Sequence, residues 1–411
     1  MRRAAKALDG RSLAAIALAT AILLTSATQL RIAGTPIGPG EAALAGCIVV
    51  LVVWTARLAA VCVGPLTRPW LLFWAIALAA LAMGWVIGIV SGESIAASNR
   101  DAVAYVFCAV VVGVLVVQPM SEDLIEDALF CLILEAALVI GGLFVLGLAS
   151  NGRVGPIQIW YEAIRFRAWA ANPNQLALLL VPLPWFAFAL RHRGRRSGLL
   201  LIGSAVVLAG LGFATGSDAL LVSWAIGSLI WAGWLVVSAA ARPTRSVRRA
   251  AVARVIIPLA ILFAAIVEGP SAMAWVEDRG FRIYFQGGQG PDRVARWGFG
   301  LEVLAASPVV GFGPGSFSGR SSAFAAEEAH NTPVDWATST GSIGLTALAF
   351  LELWVVSRCI RARSRLATLA VLSLIAFMGL HYMLRQPITW FYLLAASAMR
   401  PRPDPAPEAG G

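Results

Sequence analysis

The stretch LIEDALFCLILEAALVIGGLFVLGLA, residues 124–149, decides the fold. Its polar residues do not alternate with its apolar ones, so it is not a barrel strand, in which lipid-facing and lumen-facing residues take turns. It is long enough to cross the bilayer as a helix, which takes roughly 17–25 residues for about 30 Å of hydrocarbon. A backbone in lipid must satisfy its own N–H and C=O groups, and a helix does this within one segment. On either side of it, comparable runs lie at 12–30, 41–61, 70–91 and 102–118, and at 174–190, 198–214, 218–240, 251–267, 337–357, 366–384 and 387–399. The last is short. The chain reads as an all-α integral membrane protein of about 12 transmembrane helices.

Composition agrees. Of the 411 residues, 59% are hydrophobic and 13% charged, and the mean hydropathy is +0.78. A soluble domain carries about 45–50% apolar and about 25% charged residues, so one water-facing core is excluded. The formal charge is +10, but the basic residues sit in short clusters between apolar runs, a pattern of topology rather than of nucleic-acid binding. Arg2, Arg3, Lys6 and Arg11; Arg57 and Arg68; Arg191, Arg193, Arg195 and Arg196; the group between Arg242 and Arg254; the group between Arg358 and Arg365; and Arg400 with Arg402 all fall at one end of the expected bundle. By the positive-inside rule that end is cytoplasmic, together with both termini. The N-terminal MRRAAKALDGR resembles a signal peptide, but with so many spans following it reads as an uncleaved first helix. Five cysteines lie in or beside apolar runs without a C-x-x-C pair, so neither a disulfide framework nor a zinc site is expected.

The chain divides into nine spans with short loops (1–267), a large outer loop (268–336), and three spans with a cytoplasmic tail (337–411). A loop of that length in a bundle is functional or disordered. Trp275, Phe281, Tyr284, Phe285, Trp297, Phe299, Phe312 and Phe317 argue against disorder. Within it, 291–307 spaces Val294, Trp297, Leu301 and Leu304 as an amphipathic helix lying on or near the membrane surface, followed by the turn GFGPGSF (311–317). A second outer segment, 150–173, carries Arg153, Arg165, Arg167 and Trp169, and runs into Asn172-Pro173-Asn174.

Several residues invite chemistry, each with a plainer alternative. His330, just before a span, is a general base or an interfacial histidine, and the residue alone favours the plainer reading. His381 falls inside an expected span, and His192 in a cytoplasmic arginine cluster. Arg293 and Arg296, with Trp297, clamp a diphosphate or hold lipid headgroups. Arg296, three residues on, is expected to point to a different part of the helix surface from Arg293. Asn172 and Asn174 cap a helix or receive an anion, and Asp218 is a natural carboxylate at a helix start. Glu135 and Glu352 lie inside spans, as functional groups or as partners of an arginine such as Arg57. No Cys/His cluster or paired-carboxylate site is visible in the outer loops, so no metal is expected.

Four segments together resemble the O-antigen ligase and polymerase superfamily of bacterial membrane glycosyltransferases. They are ANPNQLALLL (171–180), ATGSDALLVSW (214–224), DRVARWGFGLEVLAASPVVGFGPGSF (292–317) and AHNTPVDWATSTGSIGLTALAF (329–350). They follow the family's order: NPN opening a helix, TGSRG at the mouth of another, an Arg before a Trp, P-x-x-G-x-G-x-G-x-F, then HN with a Gly-x-x-Gly helix. The likeness covers about 170–350, and the first 150 residues match only in being hydrophobic spans. It implies an enzyme of the bacterial inner membrane, with the large loop periplasmic, working without metal or cofactor. Such an enzyme moves glycan from an undecaprenyl-diphosphate carrier to an acceptor hydroxyl, on lipid A core (lipopolysaccharide) or on another lipid-linked repeat (O-antigen or exopolysaccharide). It implies His330 as base and Arg293 as diphosphate stabiliser, with Asn172, Asn174, Asp218, Arg296, Trp297, Gly313, Arg320 and Asn331 around the substrate. The partners are the lipid-linked glycan, its acceptor and membrane lipids, with no nucleic acid. One position departs: Asp218 stands where the family has an arginine, so Arg165, Arg167, Arg320 or Arg385 is expected to supply the charge. A polysaccharide transporter or flippase, or a non-catalytic scaffold of an export machine, is the alternative. No internal repeat supports the transporter.

Overall fold

The computed structural model describes residues 2–32, 35, 37–58, 62–92, 95–162, 164–191, 195–240, 289–320, 324 and 327–400. The helices are α1 (Arg2–Leu24), α2 (Pro39–Leu58), α3 (Thr67–Val90), α4 (Ile95–Val116), α5 (Ser121–Ala149), α6 (Pro173–Leu180), α7 (Leu183–Leu190), α8 (Arg195–Ala214), α9 (Asp218–Ala240), α10 (Gln289–Ala306), α11 (Ser316–Arg320), α12 (Thr332–Arg361), α13 (Arg365–Met378) and α14 (Pro387–Ala398). Eight segments are long and apolar enough to cross a membrane: 39–57, 67–90, 98–116, 121–149, 173–190, 196–214, 218–238 and 332–361. Three shorter apolar helices, 10–24, 365–378 and 387–398, complete the bundle among the described residues. The chain is built as a multi-pass helical membrane protein. The expected ninth span, 251–267, His192, and the aromatic residues from Trp275 to Phe285 lie outside the described residues.

Proline explains why one span is two helices. Pro182 and Pro184 follow α6 directly, remove two backbone donors and break the helix between Leu180 and Leu183. The 173–190 segment is also the most enclosed of the eight. α1 packs chiefly on α5, α3 on α12 and α9 on α13. At one end Arg11 pairs with Asp123 and Asp127, Arg358 with Glu122, and Arg400 with Glu122 and Asp123, joining α1, α5, α12 and the segment after α14. The opposite end gathers the described parts of the connections between α1 and α2, α5 and α6, α8 and α9, α10 and α12, and α13 and α14, and is called the site end below. There the 150–172 segment forms two small antiparallel hairpins, Arg153–Val154 with Ile157–Gln158 and Trp160–Tyr161 with Arg165–Phe166, where the sequence had suggested only a loop.

The last long helix starts earlier than expected and is interrupted. α12 begins at Thr332, inside the stretch assigned to the loop, and Gly341 within it has φ 63 and ψ −161. The backbone groups freed by that break are met by the 308–313 segment. Phe312 N–H donates to Thr338 O (2.9 Å) and Gly313 N–H to Ser339 O (3.0 Å). Beyond the break, Ser342 N–H donates to Pro308 O (2.8 Å) and Ile343 N–H to Val309 O (3.2 Å). The Trp336 indole N–H crosses the break to Gly344 O at 2.9 Å. A Cβ at Gly341 would lie 2.2 Å from the Val309 carbonyl carbon, and one at Gly84 of α3 2.5 Å from Gly313 N. Glycine is required at both. The turn read in GFGPGSF is thus a buried segment threaded between α3 and α12.

α10 forms over the expected amphipathic stretch. Val294 and Leu301 face away from the protein, while Gly300 abuts Val334 of α12 and Phe299 meets Phe317 edge-on at 5.4 Å.

Candidate functional site

The site is built where the turn before α12 meets the connection between α13 and α14. Asn331 caps α12 by accepting from Val334 N–H at 3.0 Å, and its amide donates to Gly379 O at 2.9 Å. The Thr332 hydroxyl donates to His381 O at 2.6 Å, and Ala329 N–H to Asp335 Oδ2 at 3.1 Å. Between these bonds His330 adopts φ 51, a left-handed conformation that a histidine holds only when its surroundings impose it. Its ring stands edge-on to that of His381, with centroids 5.2 Å apart, and Phe377 covers His381 from the other side at 5.7 Å. The sequence placed His381 inside a span, but α13 ends at Met378 and His381 belongs to the site. Its distance from His330 along the chain hid the pairing.

Charge around the two rings is one-sided. Burial, then Arg296, then Arg293 hold the His330 imidazole well below its ordinary value, at about 4. Burial, His330 and Arg293 bring His381 down to about 3. Both rings are therefore neutral near pH 7, each with one nitrogen able to accept. His381 Nδ1 accepts from Tyr382 N–H at 3.1 Å. That both arginines act on His330 corrects the expectation for Arg296: residues three apart share a helix face. Arg296 pairs with Glu327 at 2.7 Å and lies 5.7 Å from the Phe324 ring centre. Arg293 Nε, Arg296 Nε and Trp297 Nε1 are buried donors without a partner among the described residues.

Beside this turn lies a cavity of about 600 Å³, lined among others by Arg31, Glu41, Asp101, Gln175, Glu328 and Arg385. Its charges are mutually satisfied. Arg31 bonds Glu41 at 2.6 Å, and Arg385 bonds Asp101 at 2.7 and 2.9 Å and also bonds Glu328. These acids hold Arg385 firmly cationic. Glu328 belongs to both places: one of its oxygens, a His330 nitrogen and a His381 nitrogen lie within 4.8 Å of one another. These are three groups of the kind that hold a divalent ion, a cluster that the linear sequence did not reveal.

A second group forms at the start of α6 and α9. Asn172 caps α6, accepting from Asn174 N–H at 2.8 Å. Asn174 Oδ1 accepts from Arg165 at 3.4 Å, and Arg165 Nε donates to Thr215 O at 3.0 Å. The Arg165 side chain lies against Gly216, two residues before Asp218. Of the four arginines expected to supply a cation near Asp218, Arg165 is the one on this turn. Arg167 is bonded to Gln158 and Ala171, Arg385 to acids, and the side chain of Arg320, at the end of α11, lies outside the described residues. Gln175, next to Asn174, and Glu328, two residues before His330, both line the cavity; Asn172, Asn174 and His330 themselves do not. Gly313 is buried with its N–H already bonded. Among the acids inside spans, Glu135 accepts from Thr20 at 3.0 Å rather than from Arg57.

No protein-family model matches the sequence, and no curated protein matches it.

Proposed function

We propose that this protein is a membrane glycosyltransferase of the O-antigen ligase and polymerase type. In this reading it transfers glycan from an undecaprenyl-diphosphate carrier to an acceptor hydroxyl in the bacterial inner membrane. About twelve spans cross that membrane, both termini are cytoplasmic, and the site end is periplasmic. One observation carries the reading: the ring of His330, neutral near pH 7, feels two arginines whose buried Nε–H groups have no partner among the described residues.

Such a pair suits displacement at an anomeric carbon. The acceptor oxygen forms its bond to that carbon as the carbon–oxygen bond to the diphosphate breaks. The hydroxyl proton passes to the free nitrogen of His330, and the negative charge gathering on the departing diphosphate is met by Arg293, with Arg296 and Trp297 beside it. Donors aimed at charge that develops in the transition state lower the barrier most. A planar guanidinium matches diphosphate oxygens in two-pronged fashion. The four segments read in the sequence supply the family likeness, and Arg165 at the TGSD turn supplies the cation missing at Asp218.

The test is glycan transfer, in cells or in proteoliposomes, by His330→Ala and Arg293→Ala proteins that still accumulate in the membrane. The expected losses are about 10²–10⁴-fold for the base and about 10²–10³-fold for the charge donor. Normal glycan output from His330→Ala would overturn the assignment and favour a scaffold of a polysaccharide machine.

A further inference from the structure

We propose that Glu328, His330 and His381 form a binding site for one divalent transition ion of the zinc type, and that the ion reversibly inhibits the protein by occupying the imidazole that serves as base. The inhibitory half rests on the glycosyltransferase reading; the ion site does not.

Two imidazoles and one carboxylate are a ligand set zinc accepts, and three protein ligands leave a fourth position open. The ligand atoms lie within 4.8 Å of one another. Tetrahedral bonds of about 2.0–2.1 Å place ligands about 3.4 Å apart, so each atom closes in by at most about 1 Å, within side-chain rotation. The two loops are already fixed around this point by the bonds from Asn331 to Gly379 and from Thr332 to His381.

Much of the surrounding cationic charge is already compensated: Arg296 is paired with Glu327, and Arg385 with Asp101 and Glu328. Arg293 stays on the cationic side of the rings, and the ion has to bind against it. Binding has two local costs. Glu328 shares its carboxylate between Arg385 and the ion, and His381, if bound through Nε2, moves its proton to Nδ1 and loses the bond from Tyr382. An ion held there blocks the free nitrogen of His330 while leaving the cavity and the Arg293 face intact.

The experiment is a titration of purified full-length protein in detergent with Co²⁺, followed by the visible band of low-coordinate cobalt, then displacement by Zn²⁺. One ion per chain is expected. Glu328→Gln, His330→Ala and His381→Ala should each weaken binding by about 10–100-fold or more, since even loss of outer-sphere support costs that much. Thermal unfolding of each variant checks folding, and the wild-type titration alone decides the matter where a variant fails to fold. Absence of a cobalt band and of zinc binding in wild type, or binding unchanged in all three variants, would overturn the site. In parallel, Zn²⁺ should suppress glycan transfer and EDTA restore it. Zinc bound through these residues with transfer unaffected refutes His330 as base and the inhibition, but keeps the site. Transfer abolished by His330→Ala with no ion bound refutes the site and keeps the reading.

Discussion

His330 owes its position to its neighbours on both sides. A left-handed φ costs a non-glycine residue about 1–3 kcal/mol, and the bonds of Asn331 and Thr332 to the 379–381 backbone offset it. The lowered His330 value has a direct kinetic consequence. If His330 is the base of the proposed transfer, its protonated ring is useless in that role, so transfer fails as pH falls through the folded value. An ordinary histidine loses this role below about 6.5; here, measured with EDTA present, transfer should hold to about pH 5 and fall as pH approaches about 4. A midpoint near the ordinary value would show that neither burial nor the arginines hold the His330 ring down during turnover. Arg293→Lys should rescue poorly in the same assay, because lysine keeps the charge and loses the planar fork. Arg296→Ala should also reduce transfer, since its guanidinium shares the Arg293 face; full activity would confine the role to Arg293. At this scale the sequence was half legible. His330, Arg293 and the asparagine caps stood in recognisable segments, whereas His381, Glu328 and Asp101 sit in ordinary surroundings and acquire meaning only when distant loops meet.

At the scale of elements, the amphipathic helix, the caps of α6 and α12 and nearly all apolar runs could be read from periodicity and capping residues, because those signals are local. The break in α12 could not. Its cause is the 308–313 backbone, distant along the chain yet in contact with Gly341, and glycines in apolar helices are common. Gly341→Ala meets two obstacles, the positive φ and the Val309 backbone at 2.2 Å, and should destabilise the protein by well over the ~1 kcal/mol of a simple glycine replacement. Gly210→Ala, in α8 with open space around its Cβ position, should be neutral or slightly stabilising. Thermal unfolding in detergent compares the two, and equal melting temperatures would mean that the 308–313 segment does not occupy the break.

For the whole molecule, the apolar runs and the basic clusters each make an independent statement about topology. Reporter fusions after Ser197 and after Thr244 should read cytoplasmic, and fusions near Gln289 external. A cytoplasmic reading at Gln289 would put His330 on the wrong side of the membrane for a periplasmic lipid-linked glycan and remove the proposed function with it. The spans were legible because lipid imposes one solution on the backbone. The gathering of the site was not, since it depends on which helices become neighbours.

The interlock of 308–313 with both halves of α12 also sets a clock. Its amides at Phe312, Gly313, Ser342 and Ile343 are bonded across the break rather than along a helix, so none can open alone. Exchange of their protons for deuterium should be among the slowest at the site end, and all four should open together. The stretch that a sequence reader takes for a pliable turn is then a stiff joint beside the imidazoles, and any movement of the site end has to go around it.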